Sequence, residues 1–166
     1  MIFQTIIVII SFFLDGILSN FLSYMIKDLS LFTPYLTLVS IIIIYPFFSK
    51  EPKKYYIFVG IVGFLYDLFY TNLLFTHTIF FILIALIIRE IYKKMEFNFL
   101  TNMFLIILVI VLYQTIFALS LFIFNVVPIT IESTIYLIGH SLILNIIYGE
   151  ILYLICKYLP HKRHLN

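Results

Sequence analysis

The sequence predicts an all-α polytopic membrane protein, a bundle of six transmembrane helices joined by short loops. Of its 166 residues, 64% are hydrophobic and 11% are charged, and the mean hydropathy is +1.17. Soluble domains carry about 25% charged residues. The apolar residues form runs, and a membrane-spanning helix needs about 20 of them. Polar turns divide the chain into six such runs, which leaves room for a single membrane domain and no soluble one.

Polar or proline-containing turns separate the first three apolar runs. The chain begins without the basic segment and small-residue cleavage site of a signal peptide, so we interpret the first run as a retained helix. Pro34 suits the first turn of the second helix, where no intrahelical N–H bond is lost. Pro52 disfavours a continuous helix through the turn between the second and third runs. The predicted helices cover about residues 2–24, 31–49 and 55–72.

The second half of the chain continues this pattern. A short, mildly polar segment from Thr71 to His77 predicts a tight antiparallel hairpin between the third and fourth helices. A charged segment from Arg89 to Lys94 ends the fourth, and a loop holding Pro128 precedes the sixth. The predicted helices here cover about residues 75–93, 100–124 and 133–158.

The basic residues indicate an orientation. With a cytoplasmic N-terminus, nine of the ten Lys and Arg residues fall in cytoplasmic turns or the C-terminal tail, and only Lys27 does not. Cytoplasmic loops of membrane proteins are enriched in these residues. We therefore expect both termini in the cytoplasm. The nine are Lys50, Lys53, Lys54, Arg89, Lys93, Lys94, Lys157, Lys162 and Arg163.

Asp67 lies within the apolar run of the third helix. An ionised carboxylate in hydrocarbon costs several kcal/mol, so Asp67 must face protein, a cavity or a partner, or else be protonated. Gly60, Gly63 and Asp67 fall at positions i, i+3 and i+7 and share one helix face, which favours close contact. Residue depth, at about 1.5 Å per residue, permits a contact between Asp67 and a His or amide of another helix. We predict a packing or partner-contact face here, with a proton-relay or ligand site as the alternative.

Two other helices carry similar small or polar stripes. Asp15 lies in the first helix, where neighbouring Ser and Asn side chains favour hydrogen bonding inside a bundle over a ligand role. The last helix carries His140 and Asn145, which invite a catalytic or metal-binding interpretation. A lone intramembrane His is more often a packing residue. Asp15, His140 and Asn145 therefore join the candidates for packing or partner contact.

Sequence motifs for catalysis are missing. The single Cys156 permits no intramolecular disulfide. No His-Glu-x-x-His pattern, Ser nucleophile with a nearby base, or Gly-rich phosphate loop occurs. We therefore predict a protein that is not an enzyme and that has no cofactor, no metal site and no nucleic-acid partner. An intramembrane hydrolase is disfavoured on the same grounds.

The architecture and one motif resemble a known family. Six short spans, with Gly63-Phe64-Leu65-Tyr66-Asp67-Leu68 in the third and a brief turn into the fourth, resemble MreD, the rod shape-determining membrane protein of bacteria. The motif covers about residues 60–88, and the architecture covers the whole chain. The resemblance implies that Gly63 and Asp67 are characteristic positions.

The resemblance also implies a function and partners. It implies a non-catalytic, multi-pass adaptor of the elongasome in the bacterial cytoplasmic membrane, which controls cell shape and peptidoglycan synthesis. MreC would be its direct partner, and MreB, RodA and a class B penicillin-binding protein its indirect ones. On this hypothesis the small and polar stripes pack against each other or against the single span of MreC. Asp67→Ala is then expected to weaken partner association more than membrane insertion.

A second function stays open. The substrate-binding component of energy-coupling-factor vitamin transporters also has six helices at this size. Such components dock through an Ala-x-x-x-Ala stripe on their first helix, and the first helix here contains no Ala. Copurification of a vitamin would support this alternative.

Overall fold

Six α-helices make up most of the computed structural model, which describes residues 2–25, 33–71, 74–123 and 131–158. No β-strand occurs in these ranges, so the predicted all-α class is confirmed. The predicted start at Leu31, the ends at Asn72 and Phe124, Lys27 and the basic tail lie outside them. The helices are α1 (Ile2–Met25), α2 (Leu36–Ile44), α3 (Pro52–Tyr70), α4 (Thr76–Tyr92), α5 (Phe99–Ile123) and α6 (Ile131–Tyr158).

Three of these helices are long and apolar enough to cross a bilayer, namely α1, α5 and α6. Helix α2 is a shorter apolar helix that continues into a 3-10 turn at Tyr45–Phe48. Helices α3 and α4 contain 19 and 17 residues. Apolar helices of this number and length indicate a membrane protein.

The distribution of polarity supports this conclusion. On α1, Ile6, Phe13 and Ile17 are 49%, 60% and 61% exposed, whereas Ser11 and Asp15 are buried. Helices α3 and α6 likewise carry large apolar side chains on their outer surfaces. Such an apolar exterior with polar residues inside suits a hydrocarbon surrounding, where an exposed polar group has no water to bind.

Helix α2 forms the centre of the bundle. All nine of its residues are buried, and it packs against α1, α4, α5 and α6. Its sequence permits this position because it has no charged residue, and the hydroxyl of Ser40 donates to the Thr37 carbonyl at 2.7 Å. The other helices surround it, with α3 beside α4 and α5 beside α6.

Two helix starts differ from the sequence expectation. Helix α2 begins at Leu36, so Pro34 precedes the helix instead of occupying its first turn. The reason is tertiary, because a carboxylate of α1 binds the N–H groups of Leu36 and Thr37. Helix α3 begins at Pro52, about three residues earlier than expected, because proline is well tolerated in the first helical position.

Candidate functional site

Asp67 joins α3 to the start of α4. Its Oδ1 accepts the backbone N–H of His77 at 2.9 Å, and its Oδ2 accepts the backbone N–H of Thr78 at 3.0 Å. The Thr78 hydroxyl donates to Oδ2 at 2.8 Å, and His77 Nδ1 lies 2.8 Å from Oδ1. The side chain of Asp67 is fully buried. It therefore binds its own chain, through backbone and side-chain groups of the next helix.

Gly63 makes this contact possible. A Cβ atom at this position would lie 2.7 Å from Thr78 Cα and 3.0 Å from the His77 carbonyl oxygen. These are backbone atoms, so a side chain here would push the start of α4 away from α3. The other glycine of the predicted face is different, since a Cβ at Gly60 would meet only the end of the Ile82 side chain, at 3.4 Å.

Asp15 does for α2 what Asp67 does for α4. Its Oδ1 accepts the N–H of Leu36 at 2.6 Å, and its Oδ2 accepts the N–H of Thr37 at 2.8 Å. The first N–H groups of a helix have no intrahelical acceptor, and the helix dipole places partial positive charge there. Each carboxylate thus meets two unpaired donors and a favourable field inside an apolar bundle.

Asn145 ties α6 to the same end of α2. Its Oδ1 accepts the N–H of Tyr35 at 2.8 Å, and its Nδ2 donates to the carbonyls of Thr33 and Ser141 at 3.0 and 2.8 Å. In the same region Gln114 Nε2 donates to the Ser141 hydroxyl at 2.6 Å. The segment that leads into α2 is therefore bound by both α1 and α6.

A cavity of about 270 Å³ lies beside these helix starts. Aromatic side chains from three parts of the chain line much of it: Tyr35, Tyr66, Tyr70, Tyr113 and Phe117. Polar lining comes from Asp15 and His77 among others. Asp67 lies behind His77 and does not line the cavity. The arrangement offers a polar, aromatic chamber at one end of the bundle.

The structure places the predicted site residues in different surroundings. Asp15, Gly63, Asp67 and Asn145 are buried at contacts between helices. Gly60 is half-buried on the same helix face as Gly63. His140 is half-buried on α6, and its ring centroid lies 4.2 Å from that of Tyr136. Asp15 and Asn145 thus meet at the start of α2, and Gly63 and Asp67 meet at the start of α4, whereas His140 lies apart from both contacts.

The sequence alone does not identify several residues of this region as part of the site. His77 and Thr78 follow Asp67 by ten and eleven positions, a spacing set by the hairpin turn. Phe75 in this turn has a left-handed backbone conformation, with φ 67°. Because Gly and Asn are the residues that favour this conformation, the sequence does not predict the turn. The cavity tyrosines are indistinguishable in sequence from the other tyrosines of the chain.

Glu150 forms a separate feature on α6. Both carboxylate oxygens are buried, and neither has a hydrogen-bond partner within the ranges that the structure describes. Glu150 does not line the cavity.

Comparisons of the chain with models of protein families, with curated proteins and with solved structures find no significant match.

Proposed function

We propose that the chain is a non-catalytic membrane adaptor of the bacterial cell-wall elongation machinery, with the role that the resemblance to MreD implies. The observation that supports this proposal best is the role of the two aspartates within the helices. Asp15 and Asp67 each join two helices of the same chain through two backbone N–H groups. Polar groups arranged in this way brace a bundle, and a braced bundle with an apolar exterior is suited to holding other membrane proteins.

The proposal includes six crossings of the bacterial cytoplasmic membrane. At about 1.5 Å per residue, the 19 residues of α3 and the 17 of α4 extend about 28 and 26 Å, close to the hydrocarbon thickness of about 30 Å. Helix α2 and its 3-10 turn are shorter and lie shielded by other helices. In this arrangement the turns holding Lys53 and Lys94 face the cytoplasm, together with both termini, as the positive-inside rule favours.

The partner surface is the apolar exterior in this proposal. Asp15, Asp67 and Asn145 are buried by the chain's own helices, so a single span of MreC would contact exposed apolar faces. MreB, RodA and a class B penicillin-binding protein would associate through MreC. Because Asp67 is fully buried, Asp67→Ala would weaken partner association indirectly, by loosening the α3–α4 hairpin.

A pull-down with tryptophan substitutions tests the proposal. The protein is coexpressed with a tagged MreC from the same genome, solubilised in mild detergent and captured through the tag. Ile9→Trp, Ile61→Trp and Ile147→Trp enlarge the exposed faces of α1, α3 and α6, where these residues are 49%, 55% and 56% exposed. The three variants serve as controls for one another, because all keep an apolar surface.

We expect wild-type protein to be captured and one of the three variants to lose most of the capture while the other two keep it. Failure to capture correctly inserted wild-type protein would refute MreC as the partner. Equal capture of all three variants would exclude the three tested faces as the docking surface.

A solute-binding transporter subunit is the second candidate function. The cavity of about 270 Å³ is the observation that favours it. The lack of Ala in the first helix argues against docking in the manner of energy-coupling-factor components. Mass spectrometry of the protein purified from its host distinguishes the two, because a vitamin retained at one molecule per chain supports the transporter and its absence, with MreC captured, supports the adaptor.

A further inference from the structure

We propose that the aromatic cavity is a binding site for a small organic cation with a flat or aromatic body. The inference does not depend on the adaptor function, since it rests only on the lining of the cavity. The site lies where α2 and α4 begin, next to the two capped helix starts.

The size of the cavity limits the ligand. Its volume of about 270 Å³ lies just below the range of about 300–1,000 Å³ that is typical of ligand pockets. The cavity is only partly enclosed, because Tyr70 at its edge is 37% exposed. A single-ring compound therefore fits, and a nucleotide or a lipid with its chains does not.

Aromatic rings dominate the walls. The rings of Tyr35 and Tyr113 have centroids 5.1 Å apart, and those of Tyr66 and Tyr70 have centroids 4.9 Å apart. Both pairs border the same space. The faces of aromatic rings carry partial negative charge and attract cations within about 6 Å of the ring centroid. Such walls favour a positively charged ligand over a negatively charged one.

Asp15 adds a hydrogen-bond acceptor to these walls. Each of its oxygens already accepts one backbone N–H of α2. A carboxylate has about four lone-pair sites, so both oxygens retain capacity for a further donor. The carboxylate is held in place by the helix start, which preorganises it for an ammonium N–H of a ligand.

His77 also lines the cavity and is held in place by Asp67. Its Nδ1 lies 2.8 Å from Asp67 Oδ1, an arrangement in which the carboxylate accepts and Nδ1 carries the proton. The lining residues that the structure describes include no Lys or Arg. Within the described part of the chain, the lining thus combines the Asp15 carboxylate with several aromatic rings, a composition that suits a cationic ligand better than an anionic one.

Three probes of the same size and different charge test the proposal. They are 2-phenylethylammonium, neutral 2-phenylethanol and anionic phenylacetate, each used at neutral pH with the full-length protein in detergent. Binding of radiolabelled 2-phenylethylammonium is measured by scintillation proximity, with the unlabelled probes as competitors and empty micelles as the blank. We expect saturable binding of the cation and at least about tenfold weaker competition by the other two, as expected for loss of a charged interaction.

Two substitutions in the cavity and one outside it locate the binding. Asp15→Asn removes the charge and should weaken cation binding about tenfold or more. Tyr70→Leu removes a ring at the exposed edge of the cavity, leaves α2 capped, and should weaken binding about threefold to tenfold. Glu150→Gln makes the same carboxylate-to-amide change away from the cavity and should leave binding unchanged.

Each result decides the proposal. Equal or stronger competition by phenylacetate or phenylethanol overturns it, as does the absence of saturable cation binding. Binding that survives Tyr70→Leu unchanged in a folded protein also overturns it, even where Asp15→Asn fails to fold. Loss of MreC capture has no bearing on these outcomes, so failure of the adaptor proposal is recognised separately.

Discussion

Asp15 and Asp67 occupy equivalent places in two successive helical hairpins. Each carboxylate projects from the first helix of its hairpin and accepts two consecutive backbone N–H groups at the start of the second, at 2.6 and 2.8 Å for Asp15 and at 2.9 and 3.0 Å for Asp67. The intervals along the chain are 21 and 10 residues for the first N–H of each pair. One device therefore fixes the entry of both α2 and α4 into the bundle.

Removing the Asp67 carboxylate is expected to destabilise the protein. Asp67→Ala leaves buried N–H groups of His77 and Thr78 without an acceptor, and hydrogen bonds to a charged group contribute about 1.5–3 kcal/mol each. Allowing for relaxation, we expect the free energy of unfolding to fall by about 3 kcal/mol. The measurement is unfolding in mixed micelles with increasing SDS, followed by far-ultraviolet circular dichroism.

Two variants control the Asp67 experiment. Asp67→Asn keeps one acceptor oxygen and should lose less stability than Asp67→Ala. Glu90→Gln changes an exposed carboxylate that binds Lys93 at 2.7 Å, and an exposed ion pair is screened by water and salt and contributes little to stability. A loss for Glu90→Gln as large as that for Asp67→Ala would contradict the capping role.

The two glycines of α3 are expected to respond differently to alanine. Gly63→Ala places a Cβ against the backbone of Thr78 and should destabilise the protein by about 1–3 kcal/mol, the usual range for overpacking. Gly60→Ala meets only a flexible Ile82 side chain and gains helix propensity, so its effect should lie between neutral and about 1 kcal/mol stabilising. The same SDS titration measures both, and equal effects of the two substitutions would argue against close α3–α4 contact at Gly63.

Replacing Asn145 on α6 is expected to destabilise the start of α2. Asn145→Ala removes the acceptor of the Tyr35 N–H and the donor to the Thr33 carbonyl, and a buried group left unsatisfied costs about 1–3 kcal/mol. Hydrogen exchange measured by mass spectrometry should therefore increase at the start of α2. The control Asn98→Ala removes an acceptor for the Thr101 N–H and should raise exchange only at the start of α5. Unchanged exchange in α2 would rule out the bridge from α6.

Cysteine labelling tests the proposed orientation. In a Cys156→Ala background, single cysteines are placed at three exposed positions by Lys53→Cys, Leu74→Cys and Lys94→Cys. A membrane-impermeant maleimide should label intact cells at position 74 only, and positions 53 and 94 after permeabilisation, because the positive-inside rule places the basic turns in the cytoplasm. Labelling of positions 53 and 74 from the same side would contradict a crossing by α3.

The sequence predicts the candidate site less completely than it predicts the fold. Asp67 and Gly63 stand out in an apolar run, and the high free-energy cost of a carboxylate in apolar surroundings points to a buried contact. The contact with His77 and Thr78 depends on the path of the turn through Phe75, which has a positive φ of 67°. The Asn145 bridge joins residues 110 positions apart, and the polar stripe of the last helix does not indicate which segment it contacts.

The sequence by itself determined the class of the protein, because apolar run length and the scarcity of charge decide whether a chain forms helices suited to a bilayer. It also marked Asp15, Asp67 and Asn145 as polar residues that need partners. Only the tertiary structure decided which groups those partners are. Every helix start has unpaired N–H groups, and the packing of the helices decides which side chain accepts them. The cavity has the same origin, because its lining residues meet only when five segments of the chain converge.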